Sequence, residues 1–285
     1  MTVGSPGAIV DGRPAHRGAL ARLRRRGQRL LVSRSEQDEA ELERKLMDHP
    51  RVTRANLIAV MSPTGGVGKT TCTFVLANLF ATHPKLRTVA VDANPEFGTL
   101  ERLAPDGRRP VKGLGELLDD ADRIHTAAQL GPYVTRLPTG LHLIAARHDP
   151  GYATRLGPHR YGELVAMLAS FYEVIVLDLG PGVISPLATF AAQRADQIVL
   201  VTTPERVAAA TIVDALGHFP RPDRITVVAN RSSSAHAWLR TAIAIPDDER
   251  LATMLASRTY TLGGLEPRTR QAIKRLGRAV TDRLV

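Results

Sequence analysis

The chain has 285 residues, of which 44% are apolar, and a formal net charge of +10. That length suffices for one large domain with a sizeable core. The single cysteine excludes a disulfide scaffold and any centre held by several thiolates of one chain. No apolar run reaches the 18–20 residues that a transmembrane helix needs, and no apolar stretch typical of a secretory signal follows the N-terminal charges. We therefore expect a cytoplasmic protein.

The positive charge is concentrated near the two ends. Residues 13–34 contain eight arginines and no acid, and residues 268–285 contain six basic side chains and one acidic one. Residues 35–267, by contrast, carry 24 basic and 26 acidic side chains. Attraction to an anionic partner is therefore a hypothesis about the ends and not about the central body.

The first 51 residues are expected to form a basic leader followed by a short helix. Residues 1–14 are rich in glycine and proline, and residues 15–32 alternate arginine with leucine as a short basic amphipathic helix would. Residues 35–47 indicate a second helix, with Ser35 as its N-cap and Pro50 beyond its end. We expect the main domain to span residues 52–285.

From Asn56 onward, short runs rich in valine and isoleucine alternate with helical patterns. Nearly continuous apolar runs indicate strands covered on both faces, and repeated strand–helix units indicate a parallel sheet. We therefore expect an α/β fold with a doubly wound, mostly parallel sheet and helices on both faces. The strands are expected at 56–62, 87–92, 141–146, 172–179, 197–203, 224–230 and 242–246, and the helices at 69–83, 158–170, 186–195 and 206–218. The spacing of Ile273, Leu276, Val280 and Leu284 indicates a last core helix with a basic outer face.

A glycine-rich turn lies between the first strand and the first of these helices. Its glycines allow successive backbone N–H groups to point into one concavity that holds anionic oxygens, and the helix N-terminus adds its dipole. In such a loop the lysine reaches the β- and γ-phosphates, and the hydroxyl after it can bind Mg²⁺. We therefore expect the nucleotide to contact Thr64, Gly65, Gly66, Val67, Gly68, Lys69, Thr70 and Thr71.

This loop departs from the strict pattern G-x-x-x-x-G-K-[ST] at Pro63, and it resembles the deviant Walker A motif of the MinD/ParA family of P-loop ATPases. Residues 65–71 match that motif in full. The family's signature lysine, which reaches the nucleotide phosphates and commonly does so across a dimer interface, is replaced by Thr64. The resemblance implies ATP and Mg²⁺ as ligands and a homodimer in the ATP state, whereas Thr64 offers a hydroxyl but no charge.

Two further segments resemble the family's switch motifs. In residues 89–100, Asp92 would support the magnesium shell, and Asn94 stands where the family often has an aspartate that positions the attacking water. In residues 173–183, Asp178 would hold Mg²⁺ through a water, and the turn after it could move with the γ-phosphate. The resemblance thus implies Lys69, Asn94 and Asp178 as catalytic residues, and Thr70, Asp92 and Asp178 at the metal.

The base would be held by two later segments. Asn230 ends a strand where the family contacts adenine, and Pro246 and Asp247 belong to a segment that resembles the loop closing the base pocket. A turn residue at position 230 and a helix N-cap at Asp247 are the alternatives. ATP is favoured over GTP, because the residues after Asn230 lack the aspartate of a guanine-binding motif. The resemblance covers residues 56–284.

We expect a slowly hydrolysing switch ATPase that positions or assembles a cellular machine for secretion, for a pilus or flagellum, or for DNA partitioning. The alternative is an adaptor that binds nucleotide without hydrolysis and acts as an interaction module. The segment Arg13–Arg34 could bind DNA phosphates, lie on an anionic membrane, or be a solvated leader. The protein partner is not identifiable from the sequence.

Overall fold

The structure is a computed structural model that describes residues 1, 36–48, 52–94, 98–105, 110–146, 157–233 and 241–284. The chain divides into two compact units, residues 1–41 and residues 42–285, and the fold that follows is that of the second unit. The basic segment Arg13–Arg34, the helix expected within residues 15–32 and the Ser35 cap lie outside the described residues.

Eight strands form one sheet in the order β3-β4-β2-β5-β1-β6-β7-β8. Every neighbouring pair is parallel except β3 and β4, which are antiparallel. The strands are β1 (Asn56–Met61), β2 (Thr88–Ala93), β3 (Thr135–Arg136), β4 (His142–Ile144), β5 (Val174–Leu179), β6 (Gln197–Thr202), β7 (Ile225–Asn230) and β8 (Ile243–Ile245).

Helices precede, connect and follow these strands, and the first helix begins in residues 36–41 of the first unit. They are α1 (36–47), α2 (Lys69–Thr82), α3 (Leu114–Asp119), α4 (Ala127–Leu130), α5 (Pro158–Leu168), α6 (Pro186–Arg194), α7 (Arg206–Leu216), α8 (Glu249–Ala256) and α9 (Pro267–Thr281). Short 3-10 turns occupy Leu100–Leu103, Ala121–Arg123, Gly131–Tyr133, Pro222–Arg224 and Leu262–Gly264. Within the described ranges, no helix combines the length and the apolar character that crossing a membrane requires.

The sheet has a hydrophobic core on each face. Leu57, Ala59 and Met61 of β1 pack on one side with α3, α5, α6 and α7, whereas Ile58 and Val60 pack on the other with α2 and α9. This alternation follows from the twofold periodicity of a strand, and it leaves β1 buried throughout. The doubly wound α/β architecture predicted from the sequence is therefore confirmed.

Most of the predicted elements are present with small shifts at their ends. The C-terminal helix is also confirmed, because Ile273, Leu276 and Val280 are fully buried. The antiparallel edge was not predicted, because β3 has only two residues and depends on a tight turn in which Gly140 has a positive φ of 89°. The carboxyl ends of β1, β2 and β5 meet at one edge of the sheet, and they position the site described next.

Candidate nucleotide-binding site

The loop between β1 and α2 is shaped by glycines in the left-handed region. Gly66 has φ 73° and Gly68 has φ 92°, values that residues with a Cβ rarely adopt. A Cβ on Gly68 would also collide with the side-chain amide of Asn230, which donates a hydrogen bond from Nδ2 to the carbonyl of Val67 at 2.9 Å. Gly68 caps α2 without any side-chain cap, so no side chain of the cap covers the N–H groups that open this helix.

Lys69 is the first residue of α2 and is 8% exposed. Its Nζ donates to the carbonyl oxygen of Thr64 at 3.2 Å, so the side chain turns back over the loop that precedes it. Burial lowers the pKa of Lys69, and the negative charge of Asp178 partly offsets that shift. The ammonium group is therefore held at the loop by one carbonyl and by the field of a nearby carboxylate.

Asp92 and Asp178 lie side by side on β2 and β5, where they are Cα partners in the parallel register. Asp178 accepts hydrogen bonds from Oγ1 of Thr70 at 2.6 Å and Oγ1 of Thr73 at 3.3 Å. Asp92 accepts from the backbone N–H groups of Leu100 at 3.0 Å and Asn94 at 3.3 Å. Both carboxylates are almost fully buried, at 1% and 2% exposure, so each is oriented by hydrogen bonds at the bottom of the cleft.

Burial raises the pKa of both carboxyl groups. The pKa of Asp92 rises to about 7, chiefly through burial and further through the charge of Asp178, although three backbone N–H groups oppose the shift. The pKa of Asp178 rises to about 6 through burial, opposed by the two threonine hydroxyls and by Lys69. A cation placed between these groups would favour their charged forms.

The donor set fits Mg²⁺, which prefers oxygen ligands and usually combines one or two carboxylates with phosphate oxygens and waters. Thr70, Asp92 and Asp178 supply hydroxyl and carboxylate oxygens. Across the described part of the chain, no group of three or more histidine, cysteine, aspartate or glutamate side chains could hold a metal ion by itself. At this site phosphate oxygens and waters would complete the coordination of a magnesium ion.

Asn94 lies between the carboxylates and the turn that follows β5. Its side chain borders Gly180, where an added Cβ would lie 3.5 Å from Oδ1 of Asn94. The turn is tied to the phosphate loop, because the backbone N–H of Gly182 donates to the carbonyl of Ser62 at 2.9 Å. A change in this turn would thus reach both Asn94 and the end of β1.

Two cavities adjoin at the phosphate loop and share Gly66, Gly68 and Thr71. The larger, about 410 Å³, is further lined by Gly65, Lys69, Thr70, Asp92, Asn94, Thr99, Asp178, Leu179 and Pro181. The smaller, about 260 Å³, is further lined by Asn230, Arg231, Pro246, Asp247, Asp248, Leu251, Ala252 and Leu255. The arrangement suits a ligand with a polyanionic end beside Lys69 and the loop N–H groups, a cation between that end and the carboxylates, and a flat end beside Pro246 and Asp247.

Two of the predicted site residues line neither cavity. Val67 is buried and contributes its carbonyl to Asn230, and Thr64 contributes its carbonyl to Lys69. The N-cap of α8 is Asp248, whose Oδ1 accepts from the N–H groups of Arg250 and Leu251, so the alternative of a cap at Asp247 is wrong. Asp247 instead faces the smaller cavity.

The structure also adds residues that the sequence analysis missed. Thr73 and Thr99 extend the polar network, the latter through a hydroxyl contact of 3.4 Å with Thr70. Arg231 donates from Nη2 to the carbonyl of Gly66 at 2.7 Å and so braces the loop from the side of the smaller cavity. These contacts join residues far apart in the chain. Of them, only the contact of Thr73 with Asp178 had a signal in the sequence, because Thr70 and Thr73 lie three residues apart and therefore on the same face of a helix.

Comparison with known proteins places the chain among nucleotide-binding domains. Residues 58–280 match the family described as the CobQ/CobB/MinD/ParA nucleotide-binding domain. The chain is 29% identical over 195 residues to the septum site-determining protein MinD of Synechocystis sp., a match that covers 67% of this chain and 70% of that protein. It is 30% identical over 190 residues to a putative tyrosine-protein kinase EpsB of Ralstonia solanacearum, a match that covers 64% of this chain. The chain spans about a quarter (24%) of the length of that kinase relative.

Solved structures share the fold. A ParA family ATPase from Chlorobium tepidum superposes with a TM-score of 0.67 at 21% identity, covering 78% of this chain and 98% of that one. MinD from Pyrococcus horikoshii, complexed with Mg-ADP, superposes with a TM-score of 0.61 at 19% identity, covering 78% of this chain and 94% of that one. At these identities the likeness concerns the fold.

Proposed function

The chain belongs to the CobQ/CobB/MinD/ParA family of nucleotide-binding domains, and on that premise we propose that it is a slow ATP-hydrolysing switch. It binds ATP with Mg²⁺ in the cleft beside the phosphate loop and forms a face-to-face homodimer in the ATP state, whereas ADP favours the monomer. Through that dimer it positions or assembles a cellular machine of the secretion, pilus, flagellum or DNA-partitioning type.

The observation that carries this proposal is the grouping of Lys69, Thr70, Asp92 and Asp178 at the carboxyl edge of the sheet. The 2.6 Å hydrogen bond from Thr70 to Asp178 places a hydroxyl and a carboxylate together next to an uncapped helix N-terminus. These are the groups that a P-loop uses to bind triphosphate and a divalent cation. Bound Mg²⁺ would neutralise charge on the phosphate oxygens.

Each residue then has a task in hydrolysis. Lys69 exchanges the carbonyl of Thr64 for phosphate oxygens, and the backbone N–H groups of the loop hold the β-phosphate. Asn94 can orient an attacking water, but its amide cannot accept the proton of that water. Thr64 supplies no positive charge at the γ-phosphate. Slow turnover follows from these two substitutions of the family pattern.

The base occupies the smaller cavity. Asn230 is already bound to the loop carbonyl of Val67, so it positions the loop and borders the base at the same time. Pro246 and Asp247 also line this cavity. One structural neighbour is the MinC:MinD cell division protein complex of Aquifex aeolicus, and by analogy we expect a separate protein partner for the ATP dimer of this chain.

Phosphate release and mass in solution, measured with ATP and with ADP for the wild type and for Lys69→Ala, test the proposal. We expect slow phosphate release and a dimer with ATP alone, both lost in Lys69→Ala. Circular dichroism controls for misfolding of the lysine variant. Identical behaviour of the wild type with ATP, with ADP and of Lys69→Ala would refute the switch. Tight nucleotide binding without phosphate release would favour the alternative, an adaptor that binds nucleotide without hydrolysing it.

The match to the EpsB protein favours a second candidate, ATP-dependent phosphorylation of tyrosine. Incubation with γ-labelled ATP separates the two activities. The switch releases the label as free phosphate, whereas a kinase transfers it to protein, where it survives denaturation.

A further inference from the structure

The residue that follows β7, Arg231, has a left-handed backbone conformation. Its φ is 54°, a value that is unfavourable for a residue with a Cβ and that persists only where the surrounding structure holds it. The next residue is fixed as well, because the backbone N–H of Ser232 donates to the carbonyl of Ile245 in β8 at 2.8 Å. Glycine or asparagine would adopt this turn more easily, so an arginine here points to a task for its side chain.

The side chain of Arg231 reaches the phosphate loop. Its Nη2 donates to the carbonyl oxygen of Gly66 at 2.7 Å, and Nδ2 of the neighbouring Asn230 donates to the carbonyl oxygen of Val67 at 2.9 Å. Two consecutive carbonyls of the loop are thus bonded by two consecutive residues at the end of β7.

These bonds fix the direction of two backbone N–H groups. In a planar trans peptide, the C=O and N–H bonds point in opposite directions. The carbonyl of Gly66 shares its peptide with the N–H of Val67, and the carbonyl of Val67 shares its peptide with the N–H of Gly68. Because both carbonyls are bonded to Asn230 and Arg231, both N–H groups point away from these two side chains, which line the smaller cavity and not the larger one.

Such an orientation matters for an anion site. Successive N–H groups bind phosphate only when they point into the same concavity, and the glycines of this loop allow its peptides to rotate with little steric resistance. A hydrogen bond to each carbonyl opposes that rotation. The loop is therefore prepared for phosphate from behind, by groups on the side of the smaller cavity.

The guanidinium of Arg231 also has a carboxylate near it. Hydrogen bonds from Thr203 and from its own backbone N–H lower the pKa of Glu205, and the charge of Arg231 lowers it further. Part of the positive charge of Arg231 is therefore balanced, and the contact of this side chain with the loop is the bond to Gly66.

We propose that Arg231 is a positioning residue of the phosphate site, which orients the peptide between Gly66 and Val67 so that its N–H faces the phosphates. The inference rests on the proposed function, since it names a group that prepares the loop for nucleotide. Arg231 acts through the backbone of the loop, without contacting the phosphates. The oriented loop should consequently bind inorganic triphosphate even without a base.

Calorimetric titration of the full-length chain with Mg-ADP and with magnesium tripolyphosphate tests this role. Arg231→Asn keeps a residue that tolerates the left-handed region but has a much shorter side chain. We expect both ligands to bind about three- to tenfold more weakly, because one charge-assisted but exposed hydrogen bond is lost. Arg231→Lys, which retains the charge and a donor, should lose less.

Lys85→Asn is the matched control. Lys85 is exposed, also has a φ of 54°, and lies beyond the far end of α2 from the phosphate loop. The substitution therefore removes a long cationic side chain from the same backbone conformation at a place remote from the cleft. Binding of both ligands should be unchanged in this variant.

The two ligands separate a role at the phosphates from a contact with the base. Similar losses for ADP and triphosphate in Arg231→Asn, with a melting temperature close to that of the wild type, support the proposal. A loss for ADP alone overturns it, because Arg231 would then contact the base, and unchanged binding of both ligands overturns it too. Wild-type binding of ADP without binding of triphosphate also overturns it, because an oriented loop should need no base.

Repeating the titrations at 1 M salt separates the hydrogen bond from long-range attraction. The screening length there is about 3 Å, so a loss caused by the missing bond should persist, whereas a loss that disappears would overturn the proposal as an effect of net charge. Failure of the wild type to bind either ligand would instead refute the proposed function, and this inference with it.

Discussion

At the scale of single residues, the buried carboxylates are the most consequential feature of the site. The resemblance to the family's switch motifs implied Asp92 and Asp178 at the metal, and the parallel register sets them side by side. Their pKa values rise because burial excludes water from both groups, and the charge of Asp178 raises the pKa of Asp92 further. In the ligand-free chain, this pair therefore retains protons at a pH where exposed aspartates are ionised.

Magnesium–nucleotide binding should therefore release protons. The pKa values of Asp92 (about 7) and Asp178 (about 6) both exceed the ordinary value of 3.8, and a bound cation favours the deprotonated forms. Affinity for Mg-ADP should then fall as the pH falls through 7 and 6, since the protonated carboxyls must first ionise. Calorimetry at pH 6.5 in two buffers of different ionisation enthalpy measures the proton count.

That proton release should decrease at pH 8, where both groups are already ionised, and in an Asp178→Asn variant. The same number of protons at pH 6.5 and at pH 8 would contradict the raised pKa values. The free energy of unfolding of the ligand-free chain depends on pH in the opposite direction to the affinity for Mg-ADP. Between about pH 4 and 7 the unfolded chain loses these protons more readily than the ligand-free fold, so the pair favours the fold at the lower pH and destabilises it as the pH rises.

Thr64 is the residue that departs most from the family motif, and Thr64→Lys restores a positive charge there. The side chain is partly exposed, so a lysine has room to extend from the loop. We expect tighter binding of ATP and faster phosphate release, each by about tenfold, because the added ammonium faces the phosphates. Thr64→Met, of similar length but uncharged, is the matched control. Equal effects of the two variants would show that size and not charge matters.

At the scale of elements, the end of α1 is part of the core of the second unit. Leu46 is fully buried in a cluster with Leu79 of α2 and Ile273 of α9. Gly277 leaves space for this packing, since a Cβ there would lie 3.3 Å from Leu46 and would collide with Leu79. Next to it, Nζ of the buried Lys274 pairs with Glu43 at 2.9 Å. Residues 42–47 thus pack against α2 and α9, the two helices that cover one face of the sheet.

Leu46→Ala should lower the free energy of unfolding by about 2–5 kcal/mol, because it removes buried methyl groups and leaves a cavity. Met47→Ala, at a neighbouring side chain that is 50% exposed, should change it by less than about 0.5 kcal/mol. Urea denaturation of both variants measures the difference. Comparable losses in the two variants would mean that α1 is not held through Leu46.

At the scale of the whole molecule, the net charge of +10 separates into a nearly neutral body and basic ends. In the proposed function the body binds anions through oriented N–H groups and Lys69, neither of which is visible in the net charge. The charge of residues 13–34 is a separate property, and its effect has to be measured on the chain with and without that segment.

A shortened chain that begins at Ser35 should bind anionic surfaces more weakly than the full chain. Eight arginines are removed with residues 1–34, and if all contact DNA phosphates, the slope of log affinity against log salt should become shallower by about 7. Titrations with duplex DNA and with vesicles containing an anionic lipid distinguish the two surfaces. Unchanged binding to both surfaces would indicate that the segment is a solvated leader that contacts neither DNA nor membrane.

The sequence by itself determined the α/β class, the alternation of strands and helices from Asn56 onward, and the glycine-rich loop that opens α2, whereas Asp92 and Asp178 were implied by the resemblance to the family. These features follow from local patterns: apolar runs mark buried strands, and glycines followed by Lys69 and Thr70 mark a loop that opens a helix. The two-residue strand β3 and the N-cap at Asp248 were not predicted, because a pattern of one or two residues does not distinguish a strand or a cap from a loop.

Only the tertiary structure decided how distant residues combine. The bonds from Asn230 and Arg231 to the loop join groups more than 160 positions apart, and no local pattern contains such a pairing. The same holds for the raised pKa of Asp92, which depends on burial beside Asp178. Burial and long-range contact are properties of the packed chain, and they determine which of its polar groups can act together.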